Sequence, residues 1–159
     1  MNGTTLRKVT HDDAAQLAAM LRADTQLRGD LSIPNDARPT VADVLTKVQS
    51  WETKTNGETY TIVADVGPIG IISVHPSSED STLGKVGYWV GSKYRDRGYC
   101  TDALRQLAAV AANHHMTSVS GAVTDTNIAS CRVWQKLNAH SETIEEGKQR
   151  FTLPVDRQQ

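Results

Sequence analysis

The residues most suggestive of chemistry sit at a junction. From Lys93 to Ala112 the chain reads KYRDRGYCTDALRQLAAVAA, a basic, glycine-containing hook followed at once by an alanine- and leucine-rich run. A strand entering such a hook and a helix leaving it gather unpaired backbone N–H groups and the positive end of a helix dipole at one point, which attracts phosphate. Gly98 lets the backbone approach an anion with no Cβ in the way, Arg95 and Arg97 offer charge-assisted hydrogen bonds, and Thr101 places a hydroxyl on the first turn. A diphosphate suits this set better than an isolated anion. A solvated basic turn with an ordinary glycine is the alternative for the hook taken alone. Neither a GxxxxGKS/T phosphate loop nor a GxGxxG fingerprint is present, so the usual nucleotide-binding folds are disfavoured.

Other reactive side chains carry less. Cys100 and Cys131 fall at predicted helix starts, where a thiol pKa can be lowered, but no basic catalytic partner accompanies them and covalent catalysis is disfavoured. His114 and His115 are adjacent near a helix end and cannot both face one metal, so dipole stabilisation or solvent exposure is expected and no metal is proposed. Trp51 belongs to an apolar helical stripe, as core or cleft wall. Trp89 and Trp134 could line a cleft, although packing is the commoner fate of tryptophan.

The positioning elements follow from periodicity and end signals. TLRKV from Thr5 reads as a first strand, and Thr10 with Asp13 opens a helix that carries Ala14, Leu17, Ala18 and Leu21 on one face to about Arg22. A turn-rich loop from Gly29 precedes a second helix, opened by Thr40 and Asp43 and ending near Asn56-Gly57. ETYTIVA, IGIISVH and KVGYWV are then three neighbouring antiparallel strands, separated by DVGP and PSSEDSTLG. The hook follows the third of these, and its helix ends near His114. SVSGAV is a strand, Asn127 with Ser130 opens a fourth helix through Leu137, and HSETIEE and QRFTLPV form a last hairpin. The closing DRQQ is expected to fray.

A chain of 159 residues, 38% hydrophobic, is sized for one domain, expected to span 1–159. Lys and Arg number 17 against 18 Asp and Glu, and aromatic residues make up 5%, so neither a broad basic face nor stacking platforms favour a nucleic-acid module. No stretch approaches the roughly 20 apolar residues of a membrane span, and the start lacks a signal-peptide core; a soluble cytoplasmic protein with reduced thiols is expected.

The hook resembles motif A of the GNAT (Gcn5-related) N-acetyltransferases, Arg/Gln-x-x-Gly-x-Gly/Ala. Here it reads Arg95-Asp96-Arg97-Gly98-Tyr99-Cys100, with compact Cys100 in place of Gly or Ala. VGYWVGSKYRDRG is similar to the strand and loop before the coenzyme site in the RimJ/RimL-like branch. DTNIASCRVWQKLNA resembles that branch's N-x-x-S-x-R-x-x-x-K-L-G-F, with Asn127, Ser130, Arg132, Lys136 and Leu137 in register and Asn138-Ala139 replacing Gly-Phe. Asn suits the left-handed helix cap that Gly would occupy. The match is clearest from Thr59 to His140.

The resemblance implies an α/β fold with a mixed, mostly antiparallel central sheet, splayed between its fourth and fifth strands and flanked by helices on both faces. It implies acetyl-CoA as co-substrate and direct attack of an amine on the thioester. Tyr88, Trp89 and Val90 would bind the pantetheine arm, Arg95 to Thr101, including Asp96 and Tyr99, would cradle the pyrophosphate, and Asn127 would face the arm from the other side. Ser130 would aim a hydroxyl at the coenzyme sulfur and help the thiolate leave; a helix-capping role with Asn127 is its structural alternative. Lys85 stands where the branch often has its glutamate base, leaving His75, Glu79 or Asp80 as substitutes, directly or through water, or an acceptor amine of low basicity. An acyl-CoA sensor that binds without catalysis is the alternative function. The acceptor would be a peptide N-terminus or small amine, and the protein a monomer or homodimer.

Overall fold

The chain alternates helices and strands in the order β1 (Thr5–Lys8), α1 (His11–Ala23), α2 (Thr25–Asp30), α3 (Val41–Thr55), β2 (Glu58–Ala64), β3 (Gly67–Pro76), β4 (Leu83–Val90), α4 (Tyr99–Asn113), β5 (Ser118–Thr124), α5 (Ile128–Lys136), β6 (His140–Glu145) and β7 (Lys148–Pro154). This computed structural model describes residues 3–155, so the terminal DRQQ lies outside the described residues. The predicted helix starts are real caps. Thr10 with Asp13 and Thr40 with Asp43 each form a reciprocal capping box, and the Asn127 side chain accepts from the Ser130 backbone N–H. At the other end of α5, Asn138 takes the left-handed conformation that the replaced glycine would have supplied.

One departure from the expected elements bears on the site. Residues 25–30, which fall between the expected end of the first helix near Arg22 and the start of the turn-rich loop at Gly29, form α2. Its six residues are too few to show a period. Asp24 caps it by accepting from the Leu27 N–H, and buried Arg28 ties it back to α1 through the carbonyls of Leu21 and Arg22. These are tertiary anchors that no local pattern displays. β3 and β4 are also longer than predicted, because the Ser77 N–H to Leu83 carbonyl bond closes their hairpin and carries pairing to the Pro76–Gly84 rung.

The seven strands form one sheet in the order β1-β2-β3-β4-β5-β7-β6. All neighbours are antiparallel except β4 and β5, which run parallel and pair only at Leu83–Ser118, Gly84–Val119 and Lys85–Ser120. Beyond Lys85 the two strands part: β4 continues against β3, and β5 against β7. One core, built from Ile62, Ile72, Val90, Leu104, Leu107, Val119, Trp134 and Phe151, lies between the sheet and α4 and α5. A second, with Ala14, Ala18, Leu21, Leu27 and Val44, joins α1, α2 and α3 and reaches Trp89 on the opposite face. Asp13 locks α1 to the sheet. Fully buried, it accepts from the Arg7 guanidinium at 2.7 Å and from the Thr61 hydroxyl at 3.0 Å.

Candidate active site

The hook opens onto a cavity of about 510 Å³ between α2, the end of β4, α4 and α5. Gly98 is the N-cap of α4 with φ +84°, and no side chain among the described residues caps the helix, so its first N–H groups are left to face an anion. Nothing lies within 4 Å of where a Cβ on Gly98 would stand, which leaves room for close approach to that backbone. Tyr94, Arg95, Asp96, Tyr99, Cys100 and Thr101 line the same cavity. Arg95 is held in a 2.7 Å ion pair with Asp30 at the end of α2, while Asp24 at its start accepts from both the backbone N–H (2.7 Å) and the hydroxyl (2.8 Å) of Ser92. The short helix is thus fastened to the hook at both ends.

The splay supplies the second wall. Because β5 leaves β4 after Lys85, the edge of β4 from Val86 to Val90 has no strand partner on that side among the described residues, and Tyr88, Trp89 and Val90 line the cavity there. Across the gap α5 presents Asn127, Ser130, Arg132 and Lys136. The Tyr88 hydroxyl and Ser130 Oγ lie 2.5 Å apart, a hydrogen bond between residues 42 positions distant in sequence. Burial pushes the Tyr88 phenol up to about 12, more than its hydrogen bond to Ser130 lowers it, so the pair is neutral at physiological pH. Beneath it, fully buried Trp134 stacks on Phe151 and lies against Gly121, where a Cβ would come within 2.6 Å of the indole. The Trp134 indole N–H has no hydrogen-bond partner among the described residues.

On the other face of the sheet a second cavity, of about 590 Å³, lies between β3, β4, α3 and the loop after α2. Leu31, Tyr88 and Trp89 line both cavities, so the two meet at the splay. A sheet parted at one parallel pair, with an anion-ready helix end on one side and an apolar pocket on the other, can bring two substrates together end to end. The acetyltransferase (GNAT) domain family matches residues 4–140, most of the chain. The chain belongs to the GNAT acetyltransferases.

Solved structures agree in fold with this GNAT chain at low identity. RimL, a ribosomal α-N-protein acetyltransferase in complex with coenzyme A, is 16% identical, with 98% of this chain and 96% of that one covered and a TM-score of 0.78. The aminoglycoside acetyltransferase AAC(6')-Ib with coenzyme A is 19% identical, with coverages of 96% and 95% and a TM-score of 0.74. RimJ of Mycobacterium smegmatis, in complex with CoA-disulfide, is 15% identical, with coverages of 96% and 82% and a TM-score of 0.77. No curated protein sequence matches this GNAT chain significantly.

The GNAT fold places the residues singled out in the sequence unequally. Tyr88, Trp89, Val90, Arg95, Asp96, Gly98, Tyr99, Cys100, Thr101, Asn127 and Ser130 line one cavity. Arg97, in the same hook, is exposed and is not part of that lining. His75, Glu79 and Asp80 line neither cavity. His75 sits opposite Lys85 in the β3–β4 ladder with its ring edge-on to Trp51, and Asp80 accepts from the Thr82 backbone N–H and hydroxyl in the hairpin turn. The thiols reverse the helix-start expectation. Burial pushes Cys100 up to about 12 despite the charge of Arg95, and burial with the nearby Asp125 charge raises Cys131. His114 is paired with Glu58 at 3.0 Å. Asp30 and Leu31 were not foreseen, because they lie in a segment with no readable pattern; Trp134 packs, the commoner fate expected of it, but nothing in the sequence shows that it stands behind Tyr88.

Proposed function

We propose that this chain is an acetyl-CoA-dependent N-acetyltransferase of the RimJ/RimL-like kind, with its coenzyme in the hook cavity and its amine acceptor in the cavity across the splay. The observation that carries this is the meeting of the two cavities at Tyr88 and Trp89, beside the Tyr88–Ser130 pair. The uncapped start of α4 and the open space over Gly98 suit a pyrophosphate, with Arg95 beside them. The unpaired edge of β4 suits the amide groups of a pantetheine arm, and Arg132 and Lys136 add positive charge to the same wall. The bound thioester would supply the acyl group.

The chain's own residues then have distinct tasks. Either hydroxyl of the Tyr88–Ser130 pair can donate, and we assign Tyr88 as donor to Ser130. Ser130 is then left with its own proton to give to a leaving thiolate at the splay. The backbone of Tyr88 to Val90 orients the pantetheine arm, and the apolar walls of the second cavity hold the acceptor. His75 lines neither cavity, so no role in the transfer is assigned to it, and the amine proton passes to solvent. Asp43, the sole carboxylate among the described lining residues of the acceptor cavity, is held by the Thr40 backbone N–H.

Calorimetric titration with acetyl-CoA tests the cradle. Micromolar binding to the wild type should be lost in Gly98→Glu, with folding of the variant checked by circular dichroism because φ +84° disfavours any side chain there. Turnover of any amine, retained in His75→Ala, separates an enzyme from a binding-only sensor. Absence of wild-type binding would overturn the reading.

A further inference from the structure

Resting on that function, the walls of the acceptor cavity restrict what can enter. Its floor is Ile71 and Trp89 from the sheet and its roof Val44, Val48 and Trp51 from α3, so an apolar body loses little by leaving water there. The charges at its rim are unbalanced. Arg38 and Lys47 face it against a single carboxylate, Asp43, among the described lining residues. Asp43 accepts from the Thr40 N–H at 2.9 Å within the capping box, and its bonds with Thr40 hold its carboxyl below the usual range, so its charge offsets one of the two cations and the rim stays net positive. Arg38 donates to the carbonyls of Asn35 and Ala37, which leave its positive charge uncompensated, and neither Arg38 nor Lys47 forms an ion pair among the described residues.

A polyamine or aminoglycoside would bring several cations into this cavity and meet two more. The acidic residues Glu79 and Asp80, which could have received them, line neither cavity. We propose that the acceptor is a small monoamine with an aromatic or branched apolar body that carries a carboxylate, the amine directed to the Tyr88–Trp89 seam and the carboxylate to Lys47 and Arg38. Trp51 and Trp89 then flank the apolar body, and the two cations select the anionic group.

The test uses the intact protein and two readouts. Phenylalanine, tryptophan and leucine are titrated by calorimetry into protein saturated with desacetyl coenzyme A, and assayed for acetylation with acetyl-CoA, beside their carboxamides, phenylalanyl peptides, spermidine and kanamycin. A charge-assisted contact predicts that the free carboxylates bind about tenfold or more tighter than the amides. Lys47→Ala should erase that preference while leaving the amides unchanged, and Arg38→Ala should reduce it. Equal use of amide and carboxylate, better use of peptides, or faster turnover of spermidine or kanamycin overturns the proposal. So does absence of binding and turnover for every amino carboxylate tested. In each of these cases intact acetyl-CoA binding shows that the acceptor class has failed and the acetyltransferase reading has not; loss of acetyl-CoA binding itself sinks both.

Discussion

Removing one hydroxyl at the splay separates chemistry from structure. Ser130→Ala leaves the Tyr88 phenol, 2.5 Å from the deleted oxygen, without its partner. Tyr88 is only part-buried and lines both cavities, so its orphaned hydroxyl can turn to water; the cost is at most about 1 kcal/mol, or about 2–4 °C in melting temperature for a protein of this size. Loss of a proton donor to the leaving thiolate costs about 10²–10⁴ in turnover. The two losses are read on different instruments: thermal denaturation for the first, steady-state kcat at saturating acetyl-CoA for the second. Tyr88→Phe keeps the ring and deletes only the phenolic oxygen, so it should cost about tenfold in kcat by misdirecting Ser130. The double variant should be no slower than Ser130→Ala alone, because the two hydroxyls act as one unit. The pH profile adds a further check. With Tyr88 pushed up to about 12, the donor pair stays protonated, so kcat should rise as the amine loses its proton and show no fall below about pH 10. Losses that multiply in the double variant, or an unchanged kcat in Ser130→Ala with coenzyme affinity intact, would refute the donor chain.

Three further outcomes follow from the geometry. Asp30→Asn frees Arg95 from its 2.7 Å ion pair, and because the pair is partly exposed the gain in acetyl-CoA affinity should reach at most about fivefold and shrink in high salt, read by calorimetry. Asp13→Ala removes the side-chain half of a capping box, a buried bond from Thr61 and the ion pair with half-exposed Arg7, and should destabilise by about 2–4 kcal/mol in urea unfolding. Burial opposes ionisation of Asp13, but bonds from Arg7, the Thr10 N–H and Thr61 outweigh it and lower its pKa; Asp24 and Asp102 are lowered in the same manner by Ser92 and Thr4. Their contribution is therefore fully present above the ordinary carboxyl range near pH 4 and is lost as pH falls through the lower folded values, so wild-type stability should drop below about pH 4 and Asp13→Ala should flatten that drop. With Cys100 pushed up to about 12, only about one thiol in ten thousand is ionised at pH 8, and alkylation by iodoacetamide, followed by mass spectrometry, should leave native Cys100 unmodified long after an unfolded control has reacted.

Much of the fold was legible because its signals are local. Thr10 with Asp13, Thr40 with Asp43 and Asn127 with Ser130 each specify a helix start within four residues, and the apolar periods of α1, α3 and α4 show which faces are buried. The three antiparallel strands before the hook, and the glycine at the mouth of α4, could be read from short segments for the same reason. That dictated the kind of site: backbone N–H groups presented at the start of a helix. Tertiary structure decided where it ends and what faces it. How far β5 follows β4 depends on packing across the whole sheet, and it is this parting after Lys85 that exposes the strand edge. Ser130 alone could equally have been a cap; it is the fold that brings Tyr88 to it across 42 positions and stands Trp134 behind them. The cysteines show the same division, since a helix start argues for a low pKa, but burial, a property of the assembled chain, is the larger effect and sends both upward. Sequence determined the local hydrogen-bonding partners and the periodic faces, which act over a turn or a strand; desolvation and the meeting of two cavities are set by distant segments, and only the folded chain brings those together.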